Sequence, residues 1–203
     1  MMKSIKESIS TTTIIEKSKF IAFLMPVHSK EEFEQKLNFL KKEYIDAAHI
    51  CYATIIKEET GFFYKSFDDG EPSSTAGAPI LNVLKKNELE NIACFVIRYF
   101  GGIKLGAGGL CRAYSKACSE AVRLAQIVTL KIVNLYEIHV SYENERLLSN
   151  LLKNMSTLIL EKKYEMNVLF KVVFKEEKDL ELLKNNYNLH LEINIIGTYQ
   201  IEE

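Results

Sequence analysis

The feature that most constrains this chain lies between Ile92 and Gly109, where a near-continuous apolar run, Ile92 to Phe100, passes directly into five of the chain's nine glycines. An apolar run of that length without alternation reads as a strand buried on both faces, so the fold must supply a layer on each side of it. The glycines that follow, Gly101, Gly102, Gly106, Gly108 and Gly109, mark backbone that needs left-handed dihedrals or the close approach of another group. Behind them Leu110, Tyr114, Ala117, Ala121 and Leu124 recur at helical spacing, which predicts a long helix within residues 106–126. Strand, glycine loop and helix start, in that order, bring unpaired backbone N–H groups and the positive end of a helix dipole to one place.

A length of 203 residues suits two domains of about a hundred each. The content of 47% hydrophobic and 26% charged residues is that of an ordinary folded chain, which argues against disorder or a fibre. No apolar run approaches the roughly 20 residues needed to span a bilayer, and the opening Met-Met-Lys-Ser-Ile-Lys-Glu-Ser lacks the apolar core of a secretory signal. The expectation is a cytoplasmic protein with no membrane partner. Cys51, Cys94, Cys111 and Cys118 show no C-x-x-C spacing and read as reduced thiols rather than a disulfide framework. A net charge of −1 excludes nucleic-acid binding driven by whole-molecule charge.

Along the chain, Ser8–Ile15 and Phe20–Val27 read as a strand hairpin. Ser29 and Glu32 form a capping box ahead of Phe33, Leu37 and Leu40, predicting a helix to about Glu43. Strands are expected at Ala48–Ile56 and Gly61–Phe67, joined by an exposed turn at Lys57–Thr60, and a helix over Thr75–Lys86 with a hydroxyl cap and Pro79 in its first turn. Residues 1–128 thus form a ββαββαβα domain of layered sheet and helices. From residue 129 the pattern restarts: strand Leu130–Tyr142, helix Glu143–Asn154, strands Thr157–Tyr164 and Asn167–Phe174, helix Glu176–Tyr187 and strand Leu189–Tyr199. That order, βαββαβ, is the split βαβ of ferredoxin-like domains. The fold class is α+β in two domains, 1–128 and 129–203. Tyr136, Tyr142, Tyr164, Phe170, Phe174 and Tyr199 are candidates in principle for carrying RNA on that sheet, but read more readily as strand aromatics of a core, since no RNA-recognition signature accompanies them.

The candidate site joins two loops. Arg98, Lys104 and Arg112 flank the glycines, and with the backbone N–H groups of Gly101 to Gly109 they suit an anion, phosphate above all. Gly106-Ala107-Gly108-Gly109 is not the dinucleotide G-x-G-x-x-G, and the Gly101 to Gly106 spacing is followed by Ala107 rather than Lys, so no P-loop is met. A tight turn with close helix packing is the bland alternative. Asp68, Asp69 and Glu71 suit a hard cation, a general base, or plain turn chemistry around Asp69-Gly70. Ser73, Ser74 and Thr75 suit helix caps or hydrogen bonds to phosphate. His49 and Cys51 share a strand face but have no second ligand pair, so neither a metal nor a catalytic dyad is assigned, and His28, His139 and His190 read as ordinary surface or strand residues.

Three stretches together carry a resemblance: Ala48-His49-Ile50-Cys51-Tyr52-Ala53, the loop from Asp68 through Ala78-Pro79-Ile80-Leu81, and Arg98-Tyr99-Phe100-Gly101-Gly102-Ile103-Lys104 through Arg112-Ala113-Tyr114. With these the chain resembles the IMPACT/YigZ family over roughly residues 15 to 125. The resemblance implies a first domain of the fold shared by a ribosomal small-subunit protein and the GHMP kinases, and a ferredoxin-like second domain. It implies translation control, with RNA or the ribosome as partner and protein partners in the same process. The resemblance also marks two departures: Ser74 stands where the family usually has Gly, and Ala78 where it usually has a basic or polar residue. The resulting expectation is a regulatory protein that binds RNA or the ribosome through Arg98, Lys104, Arg112 and the glycine loop, with no catalytic residue, cofactor or metal assigned. Two alternatives stay open: an enzyme acting on a small phosphorylated or peptide substrate between Asp68–Thr75 and Gly101–Gly109, and a protein-interaction module whose glycine loop is architecture.

Overall fold

The computed structural model describes residues 2–58, 61–186 and 189–202 and divides into two compact units, Met1–Thr129 and Leu130–Glu203. The first holds β1 (Met2–Ile5), β2 (Ile9–Ile15), β3 (Ser18–Pro26), α1 (Lys30–Glu43), β4 (His49–Glu58), β5 (Gly61–Phe67), α2 (Gly77–Lys86), β6 (Ile92–Tyr99) and α3 (Gly106–Leu124). A five-stranded antiparallel sheet runs β2-β3-β6-β4-β5, so the apolar run of β6 lies at its centre. Successive side chains of a strand point to opposite faces, and β6 feeds two cores. Cys94 and Val96 join Phe20, Ala53, Leu84, Tyr114 and Ala117 on the side covered by α2 and α3. Ala93, Phe95 and Ile97 join Phe33, Leu37 and Leu40 of α1 on the other. Phe95 is fully buried and stacks on Phe33 at 5.5 Å between ring centroids. The unit is a three-layer sandwich, helix pair over sheet over single helix.

Helix α1 begins as its sequence demands. The Ser29 side chain accepts from the Glu32 N–H, and Glu32 Oε2 accepts from the His28 N–H, so orphan donors of the first turn are satisfied. Three elements differ from the sequence reading. Strand β1 was too short to be visible there; Ile5 packs into the α2/α3-side core, and the Glu90 N–H donates to the Lys3 carbonyl. Strand β4 extends through Lys57 and Glu58, which the reading placed in a turn; Glu59 and Thr60 lie outside the described residues. Helix α2 starts at Gly77 rather than Thr75 and has no hydroxyl cap: Ala76 precedes it, with no side-chain hydrogen bond of its own.

The second unit takes up β7 (Ile127–Val140) and holds α4 (Tyr142–Asn154), β8 (Thr157–Tyr164), β9 (Val168–Phe174), α5 (Glu177–Asn186) and β10 (Glu192–Glu202). Its strands pair antiparallel in the order β10-β7-β9-β8. Tyr136, Ile138 and Val140 alternate inward on β7 and meet Val168, Phe170, Val172 and Phe174 of β9 beneath Leu148 and Leu152 of α4 and Leu183 of α5. Tyr142, read from the sequence as the end of a strand, instead begins α4, and Tyr187, read as the end of α5, lies outside the described residues. Of the six aromatics read as core, Tyr136, Phe170 and Phe174 are buried, whereas Tyr142, Tyr164 and Tyr199 are exposed. No helix among the described residues is long and apolar enough to cross a membrane.

Candidate phosphate-binding site

The two loops singled out in the sequence meet beside the first turn of α3. Gly101 must be glycine because the β2–β3 turn presses on it: a Cβ there would overlap the Lys17 carbonyl carbon. Its N–H donates to Ser18 Oγ at 3.1 Å, which ties the end of β6 to that turn. Gly106 opens α3 with φ +66, a dihedral that other residues adopt only at a cost.

The first turn of α3 carries no side-chain cap and no acidic residue, and Gly106, Ala107 and Gly108 are exposed. Its leading N–H groups therefore face solvent with the positive end of a 19-residue helix behind them. Lys104 and Arg112 make no ion pair among the described residues. The Arg112 guanidinium folds back along the helix, so that a Cβ at Gly108 would lie 3.4 Å from it. Next to this turn is a pocket of about 270 Å³ walled by Glu71, Pro72, Arg98, Phe100, Lys104, Leu105, Gly106, Ala107 and Leu110. The acidic loop thus contributes Glu71 and Pro72, while Asp68, Asp69 and His49 line no part of it.

Arg98 is not a free cation. It is 5% exposed, and its guanidinium NH1 group donates to Glu71 Oε1 at 2.5 Å. The Tyr114 hydroxyl donates to the same oxygen at 2.7 Å, and Tyr114 packs edge-on against Phe20. Cys51 Sγ lies 3.3 Å from that hydroxyl and 2.9 Å from the Asp68 carbonyl. Burial pushes the Cys51 thiol up to about 12, with the carboxylates of Glu71, Asp69 and Asp68 adding to the shift against the hydrogen bond to Tyr114, so it is an inert thiol rather than a nucleophile. Burial, with Cys51 and Glu71 beside it, raises Tyr114 as well. The buried charges are therefore one cation and one carboxylate, although Arg98 Nε keeps no hydrogen-bond partner.

The remaining acidic groups are occupied within their own loop. The Asp68 carboxylate accepts from the backbone N–H groups of Ser74 (2.8 Å), Ala76 (3.0 Å) and Gly77 (2.8 Å). It caps α2 from outside the helix, the task the sequence reading gave to Ser73, Ser74 and Thr75. Ser73 and Ser74 are exposed, while the Thr75 hydroxyl turns inward to the Pro72 carbonyl at 2.6 Å. Asp69 Oδ2 accepts from the Ile50 N–H at 2.7 Å, and His49 Nδ1 lies 2.6 Å from the Asp69 carbonyl. Partial burial raises the pKa of Asp68, but the three N–H donors outweigh it and hold the carboxyl below the usual range. No group of three or more His, Cys, Asp or Glu among the described residues is placed to hold a metal ion.

Residues 16–122, more than half of the chain, match the Impact N-terminal domain family. The chain belongs to the IMPACT family. It is 40% identical over 176 residues to IMPACT family member YvyE of Bacillus subtilis, spanning 87% of this chain and 80% of that protein. It is 33% identical over 174 residues to IMPACT family member YigZ of Escherichia coli, spanning 82% of each. A crystal structure of a hypothetical protein superposes with a TM-score of 0.66 at 27% identity, over 97% of both chains. Ser74 has φ +62, in the left-handed region that favours glycine.

The sequence reading missed Tyr114 as a buried hub and the apolar pocket walls Pro72, Phe100, Leu105 and Leu110. A large phenol in a helical stripe otherwise made of two leucines and two alanines was the available signal for the first. Three outcomes follow from this geometry. Glu71→Ala lowers the free energy of unfolding by about 3–5 kcal/mol in urea titrations, because it leaves the Arg98 guanidinium buried without its partner. Ser74→Gly raises it by up to about 1 kcal/mol, since the strain of an L-residue in the left-handed region is removed. The folded pKa of Asp68 lies below its unfolded value, so its contribution is present above the unfolded pKa and is lost as pH falls through the folded one. The stability gap between the parent and Asp68→Asn is accordingly constant near neutrality and narrows in acid.

Proposed function

We propose that this IMPACT family member is a cytoplasmic regulator of translation that binds RNA, free or on the ribosome, by holding phosphates at the N-terminal end of α3. The observation that carries the reading is the bare first turn of α3, with no cap and no acid, flanked by Lys104 and Arg112, which make no ion pair among the described residues. Exposed N–H groups, a helix dipole and adjacent cations are what a phosphate monoanion or a backbone phosphate requires. A ligand is therefore held by Gly106, Gly108, Gly109, Lys104 and Arg112, with Gly101 and Gly102 shaping the approach. Ser73 and Ser74 stand exposed on the facing loop. Arg98 contributes through the orientation of the wall it builds with Glu71. The ferredoxin-like reading of residues 129–203 belongs to the same proposal, as a second module beside the binding domain 1–128. The translation role rests on family membership and the resemblance that accompanies it, and protein partners in that process come with it.

Against the enzymatic alternative stand the backbone N–H groups from which the Asp68 carboxylate and one oxygen of Asp69 accept, and the burial of Cys51. The test is RNA binding by Lys104→Ala with Arg112→Ala against the parent over a series of salt concentrations. The expected result is weaker binding and a log–log salt slope shallower by about 0.7 for each single-strand phosphate that is no longer neutralised. Unchanged affinity together with an unchanged slope sinks the reading.

A further inference from the structure

We propose that a second surface of the first unit, formed by Phe62 and Tyr64 of β5, Lys57 of β4 and Lys85 of α2, is a stacking platform for the bases of a single-stranded RNA. The choice of RNA rests on the reading above, but the surface shares no residue with the α3 site. In the antiparallel ladder Lys57 lies opposite Phe62 and Ile55 opposite Tyr64, so all four point to the face that α2 covers. Ile55 is buried there with Val83 and Leu84 of α2. Phe62 and Tyr64, on the edge strand, reach past that cover and are 43% and 46% exposed. Their ring centroids are 6.0 Å apart, and Lys85 Nζ stands 4.3 Å from the Tyr64 centroid.

What selects the occupant is charge. On the opposite face of β5 the lysines beside aromatic rings are neutralised: Lys30, over Phe63, pairs with Glu58, and Lys65, over Phe33 and Tyr52, pairs with Glu34. In the second unit the stacked Tyr142 and Tyr164 have Lys162 beside them, and Lys162 pairs with Glu145. Lys57 and Lys85 make no ion pair among the described residues. Two exposed rings at alternate strand positions between uncompensated cations match a polymer with flat, sequence-tolerant faces and a regularly spaced anionic backbone. A peptide added to the edge of β5 would bond to its backbone and leave those two lysines without a role.

The experiment compares binding of a labelled oligouridine and of an abasic ribose-phosphate oligomer of the same length to the full chain, by fluorescence anisotropy at fixed salt. Phe62→Ala with Tyr64→Ala weakens oligouridine binding by about tenfold or more and leaves abasic binding unchanged, as expected when base stacking is removed. Phe62→Tyr with Tyr64→Phe, which keeps both rings, retains the parent affinity. Unchanged oligouridine affinity in the double alanine variant overturns the platform, as does an equal loss on both oligomers. If the aromatic substitutions weaken binding while Lys104→Ala with Arg112→Ala does not, the platform stands and the α3 site falls. The reverse pattern overturns the platform alone.

Discussion

The buried ion pair between Arg98 and Glu71 is the interaction on which the site depends. A guanidinium 5% exposed at the end of the central strand is tolerable only with a carboxylate against it, and that carboxylate comes from the acidic loop. Tyr114 then binds the same oxygen from α3, so one carboxylate joins strand, loop and helix. Because the geometry of all three is set at one atom, Pro72 is brought beside Leu105 and Leu110, and the pocket next to the helix start takes its shape. The pair is neutral as a whole, which leaves the positive character of the site to groups outside it: the bare N–H groups of α3, Lys104 and Arg112.

The acidic loop solves a second problem by the same economy. Helix α2 begins at Gly77, where a Cβ would stand 2.5 Å from the Phe67 nitrogen, so the helix start is pressed against the end of β5. No hydroxyl cap is formed in that space. Asp68, the residue just after β5, reaches the N–H groups of Ala76 and Gly77 instead, and accepts from Ser74 as well. The bend needed to return the chain to its own carboxylate passes through left-handed backbone at Asp69, Gly70 and Ser74. Glycine at two of these three positions would be the less strained solution, and the serine in this chain carries the strain.

How far the sequence disclosed this follows from the range of each interaction. The buried central strand was legible because Ile92 to Ile97 is apolar on both faces, and α1 was legible because its capping box is contiguous. Strand β1 was not, since four residues are too few to carry a period. The acidic and glycine loops were visible as two motifs, but their convergence and the pairing of Arg98 with Glu71, 27 residues apart, are tertiary facts. Arg98 therefore looked like a phosphate ligand because its charge was readable and its burial was not. The turn at Asp68 was legible, and its carbonyl does accept from the Glu71 N–H, but its capping role was not: a cap that acts across nine residues leaves no local spacing to recognise.

Charge balance separates the surfaces that can bind a polyanion from those that cannot. With a net charge of −1, long-range attraction of the whole chain for RNA is absent, so any affinity must come from places where cations lack local partners. Many lysines fail that condition: Lys3, Lys30, Lys36, Lys65, Lys162, Lys163, Lys171 and Lys178 each face a carboxylate within 2.8 Å. Lys104 and Arg112 escape it beside a helix start, and Lys57 and Lys85 escape it beside two exposed rings. The first pair adds charge to a dipole and suits phosphate; the second adds charge to π-faces and suits bases. Both pairs lie in the unit that carries the family match.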